Sequence, residues 1–294
     1  MSRLEEKLRS GSFVVTTELT PPKGINLEEI FAKAELLKPC VDAVNLTDSP
    51  RARMAIEPKS VGHLLIDRGV EPIVQITSRD RNRIAVQGDL LGAAALGITN
   101  FVFMAGDQPK NGDHPDAKPV FDLSTTELLS AARSLRDGHD IAGNELKGAP
   151  KIFIGATANP GGKDLDAEAA NARGKIEAGA QFLQTQAIFD PELLKRYLAA
   201  TQLGDTKLLA GIIPLKSAKM AAWLNGNVPG IRVPDAILEE MQAAAAAGRE
   251  EEAGIEIAVR LLKQMPGLCA GVHIMAIGWE AHIPRMLRES GLRP

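Results

Sequence analysis

Short apolar or β-branched runs alternate along the chain with longer segments of helical spacing. The runs cover residues 13–17, 42–46, 72–76, 100–105, 151–156, 181–186, 207–213 and 270–275. Each has the length and residue types of a buried strand. Between them the spacing predicts helices over 27–38, 82–96, 123–136, 164–178, 190–201, 217–224, 234–247 and 249–264, with 280–288 closing the chain. The boundary residues agree. Asn26 stands as an N-cap ahead of Glu28 and Glu29, and Ser124 with Glu127 makes a capping-box pattern. Pro191 sits in a first turn, and Gly97 and Gly179 follow helix ends.

Strands that alternate with helices form parallel sheets, because parallel neighbours need crossover connections. Eight such units predict an α/β fold: a closed (β/α)8 TIM barrel with an extra helix before the last strand. An open doubly wound sheet is the competing arrangement that periodicity allows. No linker rich in Pro, Gly or Ser divides the chain, so residues 1–294 are expected to form one barrel domain.

Composition narrows the function classes. The 294 residues are 45% hydrophobic and 24% charged, with a formal net charge of −3. A slightly negative chain with 4% aromatic residues lacks the basic, stacking surface that nucleic acid requires. No apolar run reaches the roughly 18–20 residues of a membrane span. The first ten residues are charged rather than signal-like, so a cytoplasmic protein is expected. Cys40 and Cys269 stand alone, and the five histidines show no metal-ligand spacing, so no metal is expected. Dinucleotide, phosphate-loop and Gly-x-Ser-x-Gly motifs are absent.

In a barrel the chemistry gathers where strands end and the following loops begin. Glu18 closes the first strand and precedes Pro21 and Pro22. That setting suits a partly desolvated carboxyl able to act as an acid near neutral pH. Pairing with an arginine or a backbone amide is its alternative role. Asp107 follows Gly106, where a ligand can approach the backbone closely, although a turn aspartate has the same signature. The polar segment 108–121 has the length of a lid or binding loop. Gln186 closes the sixth strand, where a buried carboxamide needs partners from the backbone or from a polar heterocycle. Arg79, Arg81 and Arg83 with Asp80 form an anion site or a set of ion pairs. Glu168, Asn171 and Lys175 share one helix face, solvated or gripping a cofactor.

These residues resemble the methylenetetrahydrofolate reductase family along nearly the whole chain. The resembling pieces follow in order: Thr17-Glu18-Leu19-Thr20-Pro21-Pro22, Val44-Asn45-Leu46-Thr47-Asp48, Arg79-Asp80-Arg81-Asn82 and Gly106-Asp107. Then come Ala178-Gly179-Ala180, Gln184-Thr185-Gln186-Ala187-Ile188-Phe189-Asp190 and Gly211-Ile212-Ile213-Pro214. The resemblance implies a barrel with a flavin, usually FAD, across the strand ends. It also implies hydride passing from NADH or NADPH to the flavin and on to methylenetetrahydrofolate. By the same matching, Glu18 is the acid that protonates N10 of the folate, Asp107 the aspartate near flavin and pterin, and Gln186 a folate contact. Thr47, Gln75, Gly106, Asp107, Asn159, Glu168, Asn171 and Lys175 fall on flavin-site positions.

The chain departs from the better-known branch at three of these places. Ala105 replaces an arginine, Gly155 lies near a tyrosine position, and Asn159 replaces a histidine. Arg79-Asp80-Arg81-Asn82 resembles a divergent branch. Three readings follow: a flavin-dependent reductase, a flavin-independent methylene-tetrahydropterin reductase with direct hydride transfer, and a non-catalytic folate- or flavin-binding subunit. FMN, a related pterin carrier and a homo-oligomer are compatible with the same motifs.

Overall fold

All eight predicted strands form, each within two residues of its expected bounds, in a computed structural model that describes residues 1–294. They are β1 (Val14–Leu19), β2 (Ala43–Leu46), β3 (Pro72–Thr77), β4 (Asn100–Met104), β5 (Phe153–Ala158), β6 (Phe182–Ala187), β7 (Lys207–Ile212) and β8 (Gly271–Ile274). Each pairs in parallel with its sequence neighbours, and β8 closes on β1 with His273 opposite Thr16. The helices are α1 (Arg3–Arg9), α2 (Glu28–Leu37), α3 (Pro58–Ile66), α4 (Arg83–Ala95), α5 (Thr125–Arg136) and α6 (Leu165–Ala178). They continue as α7 (Pro191–Thr201), α8 (Ala218–Asn227), α9 (Asp235–Ala246), α10 (Glu250–Lys263) and α11 (Ile283–Ser290). Three helices, α8 to α10, separate β7 from β8, which is the expected elaboration before the last strand. The capping box at Ser124 and Glu127 forms, and Asn26 accepts the Glu28 amide.

Two apolar regions result from strand alternation. The outward faces pack against the helices in one cluster of 64 buried residues. The inward faces at the N-terminal end form a separate cluster of nine, which includes Ile73, Val102, Phe153, Phe182 and Leu209. Phe153 and Phe182 stack at 4.9 Å, and the Phe182 ring lies so close to Gly155 that a Cβ there would meet it at 2.3 Å.

Helix α1, which the sequence pattern did not predict, plugs this end. Leu4 and Leu8, one turn apart, are fully buried in the interior cluster. Ser2 accepts the Glu5 amide and donates to Asn100 at 2.6 Å, and Asp42 takes Lys7, the Val15 amide and Arg293. Both termini are thus tied to the barrel floor.

At the opposite end, the three arginines of the 79–83 segment are each engaged within the chain. Arg79 pairs with Asp80, Arg81 with Asp48 and Asp89, and Arg83 with Asp122. Asp48 also accepts the amide and hydroxyl of Thr77 at 2.9 and 2.8 Å. Burial opposes ionisation of Asp89, yet Lys59 and Arg81 outweigh it and hold that carboxyl below its usual range. The cluster is therefore structural and joins the ends of β2 and β3 to α4.

Two stability predictions follow from these anchors. Leu8→Ala removes a buried side chain from a sealed floor and should cost about 2–5 kcal/mol in denaturant unfolding; a loss under about 1 kcal/mol would contradict the plug. Asp48→Ala leaves the Arg81 guanidinium, only 12% exposed, with Asp89 as its one remaining carboxylate and leaves the Thr77 amide and hydroxyl without their acceptor, and should cost about 1–3 kcal/mol by the same measurement. An unchanged midpoint would show that the pair is dispensable.

Candidate active site

Above the apolar floor the barrel interior turns polar. Asn45 of β2 and Gln184 of β6 meet across the centre through two reciprocal carboxamide hydrogen bonds of 2.7 and 3.1 Å. Strands two and six are not neighbours, so these side chains must point inward. Gln184 also donates to Thr16 of β1 at 3.5 Å, and Thr16 contacts His273 Nδ1 at 3.0 Å. This buried layer satisfies its own polar groups, as a low-dielectric interior demands.

Two residues further along β1, on the same face, Glu18 reaches the mouth with its side chain 23% exposed. His273 Nε2 lies 3.7 Å from Glu18 Oε2. The Thr16 hydroxyl has two acceptors in reach, the Val272 carbonyl at 3.3 Å and Nδ1 at 3.0 Å; in the tautomer in which it donates to the carbonyl, Nδ1–H donates to Thr16. In that tautomer Nε2 is the unprotonated nitrogen that faces Glu18. His273 was not among the sequence candidates; its inward position in the last strand was the available signal.

Gln186 is half-buried at the end of β6, in a stretch where pairing with β7 slips between Gln184 and Ala187. Thr185 accepts the Gly211 amide there, and Gly211 leaves no room for a side chain, since a Cβ would sit 2.3 Å from the Thr185 carbonyl. Such irregularities re-aim side chains near functional sites. Asp107 is exposed after Gly106, whose φ is +90°, and its Oδ2 accepts the Arg51 amide at 2.9 Å. The segment 108–121 is tied back to β3 by hydrogen bonds from Val120 and Phe121 to the carbonyls of Arg79 and Ser78.

Three of the expected cofactor positions converge at the end of β5. Lys175 turns inward and donates to the Thr157 carbonyl at 2.8 Å, and burial pushes its ammonium below the usual lysine range. Asn159 and Glu168 lie together at 3.4 Å, under the α8–α9 connection, where a Cβ on Gly230 would sit 1.9 Å from Asn159 Oδ1. Thr47 is buried at the end of β2 and Gln75 is half-buried in β3. Asn171 is exposed on α6 and joins none of them.

A cavity of about 1180 Å³ opens beside Glu18, walled by the connections after β1, β2, β4 and β8. Of the residues expected at the site, Glu18 alone lines it. The thiols of Cys40 and Cys269 lie elsewhere, and burial pushes both up, as befits packing residues. No group of three or more His, Cys, Asp or Glu side chains is arranged to hold a metal ion.

Among solved structures, the fold is similar to an uncharacterized protein from Clostridium thermocellum that binds two copies of 5-methyl-5,6,7,8-tetrahydrofolic acid. The TM-score is 0.67 at 15% identity, over 98% of this chain and 97% of that one. It is also similar to an EDTA monooxygenase from Chelativorans, at a TM-score of 0.57 and 12% identity, over 96% of this chain and 95% of that one. Likeness at such identity speaks for the fold alone.

Sequence relatives are closer to function. Methylenetetrahydrofolate reductase 2 of Schizosaccharomyces pombe is 22% identical over 98% of this chain. A 5,10-methylenetetrahydrofolate reductase of Pectobacterium carotovorum is 25% identical over 76% of this chain and 72% of its own length. A probable methylenetetrahydrofolate reductase (NADPH) of Caenorhabditis elegans is 24% identical over 99% of this chain. The chain spans about half of the yeast and nematode proteins, 47% and 44% of their lengths. The methylenetetrahydrofolate reductase family model matches residues 3–291, and the chain belongs to that family.

Proposed function

We propose that this chain reduces 5,10-methylenetetrahydrofolate to 5-methyltetrahydrofolate with hydride from NADH or NADPH, at the mouth of one barrel formed by residues 1–294. The observation that carries the proposal is the Glu18–His273 pair, set on a self-satisfied polar layer and opening into the cavity.

The pair supplies what ring opening needs. Glu18 gives its proton to N10, the electron pair of the bond between N10 and the methylene carbon ends on N10, and that carbon becomes an iminium electrophile. Hydride then converts it to methyl. His273 Nε2 faces the resulting carboxylate and, after taking a proton from solvent, can pass it to Glu18 for the next turnover, while Thr16 fixes the ring through Nδ1. Asp107 places negative charge where the cation develops, and the Gln186 carboxamide pairs with polar edges of the pterin. A flavin, FAD in this assignment, supplies hydride carriage from nicotinamide to substrate when bound.

The residues at the mouth fit a planar, polar heterocycle. Thr47 Oγ1 and Asn159 Oδ1 are buried with no hydrogen-bond partner, which is costly unless something else satisfies them. Gly106 presents backbone without a side chain. Thr47, Gln75, Gly106, Asp107, Asn159, Glu168 and Lys175 are the residues assigned to hold it, and the exposed Asn171 drops out of the expected set.

Direct hydride transfer without flavin is the second reading, favoured by Ala105. This exposed alanine puts no cation beside Gly106, and its carbonyl accepts the Arg79 amide. Sequential kinetics would mark direct transfer, and ping-pong kinetics the flavin route.

Purified protein should be yellow and should bleach with NADH or NADPH; colourless protein that gains nothing from added flavin would overturn the flavin assignment. Glu18→Gln should slow folate reduction by at least about 100-fold while sparing nicotinamide-driven bleaching. Near-normal folate turnover would mean that Glu18 is not the proton donor. His273→Asn should slow the folate half-reaction about tenfold and move its pH profile, with bleaching again spared. A profile identical to that of the unmodified protein would leave His273 a packing residue.

A further inference from the structure

The cavity beside Glu18 is lined by four cationic side chains. Two are neutralised within the chain: Lys23 pairs with Asp113 at 2.6 Å, and Lys33 with Glu29 and Glu280 at 2.8 and 3.3 Å. The other two, Arg51 and Arg53, are exposed and meet no carboxylate. Solvated surface arginines are common, so exposure alone decides nothing. The backbone that carries them is different.

Ser49, Arg51 and Ala52 adopt φ of +46°, +57° and +54°, the left-handed region that is unfavourable for residues with a side chain. Four contacts hold the loop there. The Arg51 amide donates to Asp107, Arg79 donates to the Ser49 carbonyl at 3.2 Å, and the Met54 amide donates to Asp113 at 3.0 Å. Gly112 packs on Ala52 so closely that a Cβ would sit 1.9 Å from its carbonyl oxygen. Across the mouth, the Arg51 guanidinium lies 5.9 Å from the Trp223 ring, which is 46% exposed. A strained loop, clamped from the β3 and β4 connections, thus holds two uncompensated guanidinium groups over the cavity.

We infer that Arg51 and Arg53 bind the carboxylates of the substrate's glutamyl tail; this rests on the folate reading of Glu18. If Glu18 protonates N10, the substituent on N10 lies against it, and that substituent is the aminobenzoyl-glutamate arm. The arm leaves Glu18 through the adjoining cavity, and its carboxylates come last. Guanidinium groups recognise carboxylates by paired hydrogen bonds, and here the backbone that carries the pair is fixed before the anion arrives. The pyrophosphate of a nicotinamide dinucleotide is the other anion of comparable chemistry, and the test separates the two.

Calorimetric titration of the full chain decides between them. The ligands are 5-methyltetrahydrofolate, its triglutamate, tail-less 5-methyltetrahydropteroate and NAD(P)H. The unmodified protein should bind the triglutamate most tightly and the pteroate least. Arg51→Ala and Arg53→Ala should each weaken the monoglutamate about tenfold, and Arg53→Lys should regain part of the loss. Pteroate and NAD(P)H should change less than twofold, and melting curves confirm that the variants fold. Equal weakening of pteroate, or weakening of NAD(P)H instead, overturns the tail site. Equal binding of all three pterins by every variant overturns the tail site but leaves the folate reading standing. Failure of the unmodified protein to bind any pterin overturns both.

Discussion

The paired carboxamides of Asn45 and Gln184 divide the barrel into a sealed apolar half and a polar half that opens at the mouth. A closed eight-stranded barrel has an interior that side chains must fill, and whatever is polar there must find partners inside. Below the pair, Phe153, Phe182 and the two leucines of α1 make a dry floor. At the same level, Thr16 links the pair to His273, and His273 in turn faces Glu18. The orientation of one imidazole thus depends on an amide pair from two strands that are not neighbours. Exchange of either carboxamide for an apolar residue would leave buried donors without acceptors.

The loops above the mouth are constrained in the same spirit. Asp107 spends one carboxylate oxygen on the Arg51 amide, so the position of a proposed catalytic group and the aim of a proposed tail-binding group are set together. The Asp48–Arg81 pair fixes the bases of the connections after β2 and β3, the first of which carries Arg51. Electrostatics at this end therefore has two layers. Buried pairs hold the scaffold, and a few uncompensated charges face the cavity.

Much of the fold was legible in the sequence because buried parallel strands read as dense apolar runs, and a count of eight favours a closed barrel over an open sheet. Glu18 could be singled out because it closes the first such run at the rim of the expected barrel. Helix α1 was not, since seven residues with two leucines carry too little periodicity to stand out. Helix α3 begins at Pro58, after a left-handed stretch that no pattern announces. The role of His273 depends on Thr16, 257 positions away, and only barrel closure brings them together. Spacing put Lys175 on one helix face with Glu168 and Asn171, but its turn toward the Thr157 carbonyl, while Asn171 stays exposed, is a tertiary fact.

The most direct measurement of the central claim is the product itself. Full-length protein is incubated with 5,10-methylenetetrahydrofolate and NADH or NADPH, and the folates are identified by mass spectrometry. The account predicts 5-methyltetrahydrofolate formed in step with nicotinamide oxidation. Unchanged methylenetetrahydrofolate alongside unoxidised nicotinamide, in protein that has been supplied with flavin, would contradict it.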